Sequence, residues 1–484
     1  MSIFQKLFKQ TFIYGLATVL PRMLSFLLVI VHTKYLDGPV SYGRVTILFS
    51  WIIVFNVVLA YGMETSFFRF LNLDKYKNKV TSTAAISILV STLLFGVLSF
   101  VGQDVIASLI GIEKEFLTYV ILILVLDALV IIPFANLRAQ ERPIRYSVVK
   151  ITNVIVYAFL NVFFLIFLPS LSKEIHWLEA LYIKNFEVQY IFISLVVASG
   201  VTLLLMTPFY FKIKYNFDKE LWKKLMIYGT PILISGLAFA INEHFDKILL
   251  EWMVGGDQGL FDSGAYGACY KLALFMTLFA TAFRMGIEPF FFSHAKEKEA
   301  PKTYATITQY FVIFGSVILI GVITFADFLK ETMIPNPQYW GAMVVVPIIL
   351  LANLCLGIYH NLSVWYKITD RTRFGAYISV VGAVITLVLN FVLIPIYSYL
   401  GSAIATLIAY GAMMLLSWYF GRKYYPIPYN LKKIGMYLLL SISFSIISFY
   451  IFDGNYLISI PLLVVFLVIL YASERKELKQ ILKK

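Results

Sequence analysis

Apolar residues in this chain gather into long unbroken runs, and polar residues collect in the short stretches between them. A helix needs about 20 such residues to cross the hydrocarbon of a bilayer. Fourteen runs of suitable length lie near 11–33, 44–62, 80–101, 116–137, 147–168, 188–210, 225–252, 265–292, 303–327, 340–364, 375–396, 400–421, 432–452 and 456–473. They are numbered here in chain order as spans 1 to 14. Continuous runs predict helices; the strands of a membrane barrel would alternate with period two.

The pattern also repeats. Tyr14-Gly15 recurs as Tyr228-Gly229, and Tyr42-Gly43 as Tyr266-Gly267. Gly62-Met63-Glu64 with Phe67-Phe68 recurs as Gly286-Ile287-Glu288 with Phe291-Phe292. Asn136-Leu137, Arg145-Tyr146 and Leu160-Asn161 return as Asn361-Leu362, Arg373-Phe374 and Leu389-Asn390. After the first pair the offset stays between 224 and 229 residues. Two similar halves with ionisable groups inside are the build of a moving transporter.

Composition agrees with a lipid solvent: 60% of 484 residues are hydrophobic and only 14% are charged. The basic residues then set direction. With a cytoplasmic amino terminus, 30 of the 40 Lys and Arg residues fall in inside segments and 6 in outside loops. The other four, Arg22, Lys247, Lys271 and Arg284, lie within spans. The positive-inside rule therefore places both termini in the cytoplasm and makes the halves parallel repeats. Cytoplasmic loops facing anionic lipid account for the net charge of +13, so no nucleic-acid partner is implied. The first run follows Lys6 and Lys9 like a signal peptide, but it is too long and no small-residue cleavage site follows; it reads as a retained helix.

Catalytic chemistry is missing. No Gly-Lys dipeptide exists to build a phosphate-binding loop, the five histidines are scattered, and no soluble segment is long enough for an enzyme domain. Cys269 and Cys355 both lie in predicted helices, which indicates neither a disulfide framework nor a metal site. The chain reads as a secondary transporter rather than an enzyme, without a cofactor, and with H+ or Na+ as the coupling ion if one is used.

Charges inside spans cost at least about 2.5–3.5 kcal/mol at mid-membrane, so each needs a partner, a wet cavity or an interface. Asp246 in span 7 and Lys271 in span 8 share a depth, with Glu243 one turn below Asp246. They read either as a static pair or as an anion-binding cavity with a carboxylate that exchanges protons. Arg22, after Pro21 in span 1, meets either Glu64 or Asp127, or a ligand phosphate. Glu64 and Glu288, close to Arg69 and Arg284, read either as a gate closing between the halves or as interfacial salt bridges. Glu251 and Asp327 are placed to snorkel at outer ends. Pro21, Pro231, Pro289 and Pro395 are hinges or tolerated kinks, and Gly401, Ala405 and Ala409 read as a close helix contact.

The stretches Leu389-Asn390-Phe391-Val392-Leu393-Ile394-Pro395 and Leu400-Gly401-Ser402-Ala403-Ile404-Ala405-Thr406 resemble the carboxy-terminal signature of bacterial polysaccharide (O-antigen type) flippases. So does Gly264-Ala265-Tyr266 leading to Tyr270-Lys271-Leu272. These proteins belong to the multidrug/oligosaccharidyl-lipid/polysaccharide exporter superfamily. The resemblance implies an all-helical, V-shaped membrane fold with an amino-terminal lobe over 1–210, a linker at 211–224 and a carboxy-terminal lobe over 225–421. An additional helix pair at 432–473, flanking a groove for a polyprenyl tail, and a basic tail at 474–484 would follow. It implies a multi-pass protein of the bacterial inner membrane that moves an undecaprenyl-pyrophosphate-linked oligosaccharide outward for surface polysaccharide or lipopolysaccharide synthesis, alongside a polymerase and other assembly proteins. Together with the span charges, this gives a reading in which Arg22 and Lys271 attract the pyrophosphate or acidic sugars, Arg284 and Arg69 assist at the cytoplasmic mouth, Asp246 and Glu243 couple protons, and Glu64, Glu288 and Asp127 couple or gate. Arg22-Met23-Leu24-Ser25-Phe26 is similar to the helix-1 arginine pattern of lipid II flippases, and Lys271 to their helix-8 basic residue. Met23 stands where that group carries an acid, which favours the polysaccharide branch. The alternatives are a cation-coupled drug exporter of the same superfamily, a lipid II flippase, and a membrane-embedded sugar polymerase or ligase.

Overall fold

The computed structural model describes residues 20–21, 23–24, 26–293 and 297–481. Among these residues the chain is helical, with no strand. Eleven helices are long and apolar enough to cross a membrane, twelve when one bent pair is taken as a single span. Spans 2 to 7 appear as Gly38–Leu71, Lys77–Val101, Lys114–Ala139, Pro143–Leu171, Glu187–Lys212 and Lys219–Val254. Span 8 is the bent pair, Gly256–Leu272 with Leu274–Glu288, turned by 49°. Spans 9 and 10 are Ala300–Thr324 and Pro337–Ile368; spans 13 and 14 are Leu431–Ile451 and Tyr456–Arg475. Spans 11 and 12 share one 52-residue stretch, Arg373–Tyr424, interrupted at Ser398, whose φ of 47° and ψ of −130° are not helical. Residues 11–19, 22 and 25 of span 1 lie outside the described residues; its described part runs into the apolar helix Phe26–Tyr35.

The chain divides into two compact units, Met1–Gly264 and Ala265–Lys484. In the first, the helix Gly38–Ala60 packs along Lys219–Val254. The crossing is tight because glycines meet: a Cβ on Gly62 would lie 2.4 Å from the Gly229 carbonyl oxygen. Span 2 breaks there, with Tyr61 at φ 31° and Gly62 at φ 69°. A second close approach joins the start of span 2 to the start of span 8. Cβ atoms on Gly43 and Gly264 would sit 2.0 Å from Leu260 O and 1.9 Å from Pro39 O. No side chain fits at such separations, which explains small residues where two backbones cross. Asp218 starts span 7 by accepting a 3.0 Å hydrogen bond from the Leu221 amide, and Lys79 pairs with it at 3.1 Å.

In the second unit span 10 is the central helix. Its helix Val346–Leu362 packs on Arg373–Tyr424 through Ala352, Tyr359, Ile378, Tyr410 and Met413. Gly401, Ala405 and Ala409 are all buried, and a Cβ on Gly401 would meet the Leu393 carbonyl at 2.5 Å, so the turn between spans 11 and 12 requires glycine there. Spans 13 and 14 attach to span 9, where Tyr437 and Phe466 pack on Ile313 and Ile320. The last helix continues beyond 473 and buries Glu474, which pairs with Lys433 at 2.8 Å and accepts a hydrogen bond from the Tyr437 hydroxyl. A buried carboxylate thus fastens span 14 to span 13.

Two outcomes follow. Gly264→Ala is expected to cost about 1–3 kcal/mol by overpacking, whereas Gly411→Ala, with nothing within 4 Å, is expected to be neutral or to gain about 0.5–1 kcal/mol. Thermal unfolding in detergent compares them, and equal melting would refute the close crossing. The Leu221 amide and then Lys79 hold the Asp218 carboxyl below the usual carboxylate range. Its stabilising contribution is therefore complete above the unfolded value of about 4 and fades as pH falls toward the lower folded value. Protection of the amides at the start of span 7, taken relative to the intrinsic exchange rate at each pH, should fall on acidification in the native protein and show no such step in Asp218→Asn.

Candidate functional site

Span charges are met locally. Asp246 and Lys247 are both buried, and Lys247 Nζ lies 2.9 Å from Asp246 Oδ1. The same ammonium donates to the Glu243 carbonyl oxygen at 3.2 Å, and the Lys247 backbone N–H donates to Asp246 Oδ1 at 2.9 Å. Adjacent positions on a helix do not face each other, but the flexible lysine stem folds back far enough to close the pair. The depth shared with Lys271 is the relation the sequence shows; the pair with the adjacent Lys247 emerges only in the structure.

Lys271 stands two residues before the bend of span 8, near the middle of that span. The helical hydrogen bonds tighten on either side of Ala273, from Ala273 N to Tyr270 O at 3.0 Å and from Met276 N to Ala273 O at 3.1 Å. The buried Asn353 amide donates to the Ala273 carbonyl at 3.4 Å. Span 8 is therefore a discontinuous helix with a cation beside its break, an arrangement used for ligand sites in transporters.

Near the opposite end of the spans the repeat extends to chemistry. Glu64 accepts a 2.6 Å ion pair from Arg138, and Glu288 accepts one of 2.6 Å from Lys367. Glu64 and Glu288 are 224 residues apart, Arg138 and Lys367 229 apart, within the offset of the repeat. The following turns match as well. Glu141 and Asp370 take left-handed φ values of 52° and 56°. The Arg142 amide donates to Leu137 O at 3.0 Å and the Arg371 amide to Tyr366 O at 2.8 Å. This is the helix-ending turn in which the chain reverses over a left-handed residue. Each glutamate thus finds a cation inside its own unit. Arg138 and Lys367 escaped the sequence reading, although carrying the offset into the loop would have aligned them.

The remaining candidates separate. Arg284, Glu288, His360, Asn361, Ser363 and Lys367 line one pocket of about 340 Å³ in the second unit, which brings two predicted residues together with three polar groups and a lysine that were not predicted. Arg69 stacks over the Tyr228 ring at 4.8 Å rather than pairing with Glu64. Asp127 accepts a 2.7 Å hydrogen bond from the Ser199 hydroxyl. Glu251 lines a small cleft with Arg44 and Glu113, which pair at 3.3 Å, and Asp327 pairs with Lys330 at 2.6 Å. Arg22 lies outside the described residues. Among the described residues no group of His, Cys, Asp and Glu is placed to hold a metal.

The Glu288 and Lys367 side chains are 39% and 29% exposed, so their coupling is expected to stay below about 1 kcal/mol. Glu288→Lys should lower the melting temperature, and Glu288→Lys with Lys367→Glu should recover it. A double reversal no better than the sum of its single changes would refute the pair.

Comparison with known proteins fits this architecture. The family model described as "Polysaccharide biosynthesis protein" matches residues 7–293, more than half of the chain, and the MatE model matches 231–392. Uncharacterized membrane proteins of Methanocaldococcus jannaschii and Bacillus subtilis are 24% and 25% identical over 206 and 210 residues. Those matches cover 42% of this chain in both cases, and 45% and 38% of the relatives, so the chain spans less than half of the curated relatives it matches. Among solved structures, the lipid II flippase MurJ in an inward closed conformation superposes with a TM-score of 0.71 at 15% identity, covering 95% of this chain and 99% of that one. An inward-facing multidrug resistance MATE family transporter of the MOP superfamily superposes with a TM-score of 0.64 at 11% identity, covering 86% and 96%. At these identities the likeness concerns the fold. The repeat, the apolar spans and the match over residues 7–293 agree, and this multi-pass membrane protein belongs to the polysaccharide biosynthesis protein family.

Proposed function

We propose that the chain is a flippase that carries an undecaprenyl-pyrophosphate-linked oligosaccharide from the cytoplasmic to the outer leaflet of the bacterial inner membrane, for surface polysaccharide assembly. The observation that carries this reading is the family match over residues 7–293, joined to a fold shared with a lipid-linked-substrate flippase. The substrate's anionic pyrophosphate calls for cations within the membrane. Lys271 beside the span 8 break meets that demand, Arg22 is the second candidate, and Arg284 and Arg69 assist near the basic face. Both termini lie in the cytoplasm on this reading, in keeping with the loop charges.

Moving an anion outward against an inside-negative potential costs about 2.3 kcal/mol per charge per 100 mV. Inward H+ or Na+ offsets that cost, and Asp246, Glu243 and Asp127 are the carboxylates proposed to couple. For Glu64 and Glu288 the pairing of each within its own unit supports interfacial salt bridges that set helix ends. The MatE match over 231–392 favours one second reading, a cation-coupled exporter of small molecules.

Depletion of the protein followed by labelling of outer-leaflet lipid-linked sugar tests the proposal. Loss of outward sugar is expected; sugar that still arrives at the normal rate without a redundant carrier, or drug sensitivity instead, would sink it. Arg22→Ala and Lys271→Ala are each expected to cut transport by more than about tenfold, the loss of one charge-assisted phosphate contact. Unchanged transport in both would remove the site and leave the flippase reading standing.

A further inference from the structure

The first unit carries an open cleft of about 780 Å³ where spans 4 and 6 end and spans 3 and 5 begin. Arg142, Arg145 and Lys212 line it together with the polar groups of Thr81, Asn136 and Gln140. No carboxylate lines it. Among the described residues, none of these three cations makes an ion pair, side-chain hydrogen bond or ring contact, although Glu64, Asp218 and Glu288 nearby in sequence or repeat all hold one. Three like charges around one hollow repel each other, and water alone gives little reason to gather them.

The second unit provides the comparison. Its matching turn places Arg371 where the first unit has Arg142, and Arg371 is covered by the Tyr424 ring at 4.3 Å. The turn repeats, but its arginine is covered by a ring in one unit and lines an open cleft in the other. Its inner wall is apolar, formed by the buried Leu137 and Met206. Guanidinium forks offer paired N–H donors that match phosphate oxygens, and amide and hydroxyl donors complete such a shell.

We propose that this cleft binds a phosphate group at the face the loop charges assign to the cytoplasm, carried by an anionic phospholipid head group or by a soluble phosphate ester. The site is separate from the span 8 cation and does not depend on which substrate the chain transports, so its failure leaves the flippase reading untouched.

The test uses the full chain in nanodiscs of neutral phosphatidylcholine, titrated with dioctanoyl-phosphatidylglycerol, with dioctanoyl-phosphatidylcholine and with inorganic pyrophosphate. Saturable binding of the anionic lipid alone identifies a head-group site; saturable binding of pyrophosphate identifies a soluble phosphate site. Arg142→Gln with Arg145→Gln and Lys212→Gln is expected to weaken that binding by more than about tenfold, and Arg142→Gln or Lys212→Gln alone by about fivefold. The single changes keep the test valid if the triple variant does not fold. A control removes three other exposed lysines near the same end of the unit, Lys77→Gln with Lys219→Gln and Lys223→Gln, and is expected to change binding less than twofold. Absence of binding by both phosphates, equal binding of the neutral lipid, or an equal loss in the control would overturn the proposal.

Discussion

A charge taken into hydrocarbon has to be met by another group, and in this chain the meeting is local. A lone central charge costs at least about 2.5–3.5 kcal/mol on the lenient insertion scale, so sequence neighbours and helix neighbours are recruited first. Lys247 folds back on Asp246, Arg138 reaches Glu64, Lys367 reaches Glu288, and Lys433 reaches Glu474. The Lys433–Glu474 pair fixes how span 14 sits on span 13, and the Asp246–Lys247 pair neutralises one helix from within, because removing one partner strands the other in a medium that cannot solvate it. The half-exposed pairs are weaker and set which helix ends meet.

This constraint explains why the repeat is visible in the ion pairs as well as the glycines. A glutamate at the end of one helix and a cation at the end of another recur at nearly the same offset, followed by the same left-handed turn at Glu141 and Asp370. The cation is arginine in one unit and lysine in the other, so charge is retained while geometry is free to change. The glycines diverge further. Gly62 sits at a break pressed on Gly229, while its counterpart Gly286 lies inside a continuous helix with open space around it.

Helices were legible because about 20 apolar residues have one use in a chain this poor in charge: spans 3 to 6, 9, 10, 13 and 14 lie close to their expected places, while span 2 runs on past 62 to Leu71 and span 8 begins at Gly256 rather than 265. Partners were less legible. Adjacent helical positions do not face each other, so the Asp246–Lys247 pair has no sequence signal; the long lysine stem is what closes it. Glu474 was assigned to a basic tail because the apolar run stops at 473, yet the helix continues and Lys433 draws the carboxylate inward. The bend of span 8 has no proline or glycine at Ala273 to announce it, and the side chain that meets its carbonyl, Asn353, lies in another helix.

That bend is also where the two repeats differ. Span 2 breaks at Tyr61-Gly62, in its last third, and backbone packing against Gly229 covers the break. Span 8 breaks near its middle, where hydrocarbon offers nothing to the carbonyls a bend exposes, and the Ala273 carbonyl is reached by the Asn353 amide at 3.4 Å, the long end of a hydrogen bond. The same carbonyl also accepts from the Met276 amide at 3.1 Å, so a tightened helical bond and the Asn353 amide together satisfy it. Lys271 rides on the segment leading into that break. The second unit thus carries a helix break beside a cation, where the break in the first unit is pressed between backbone glycines.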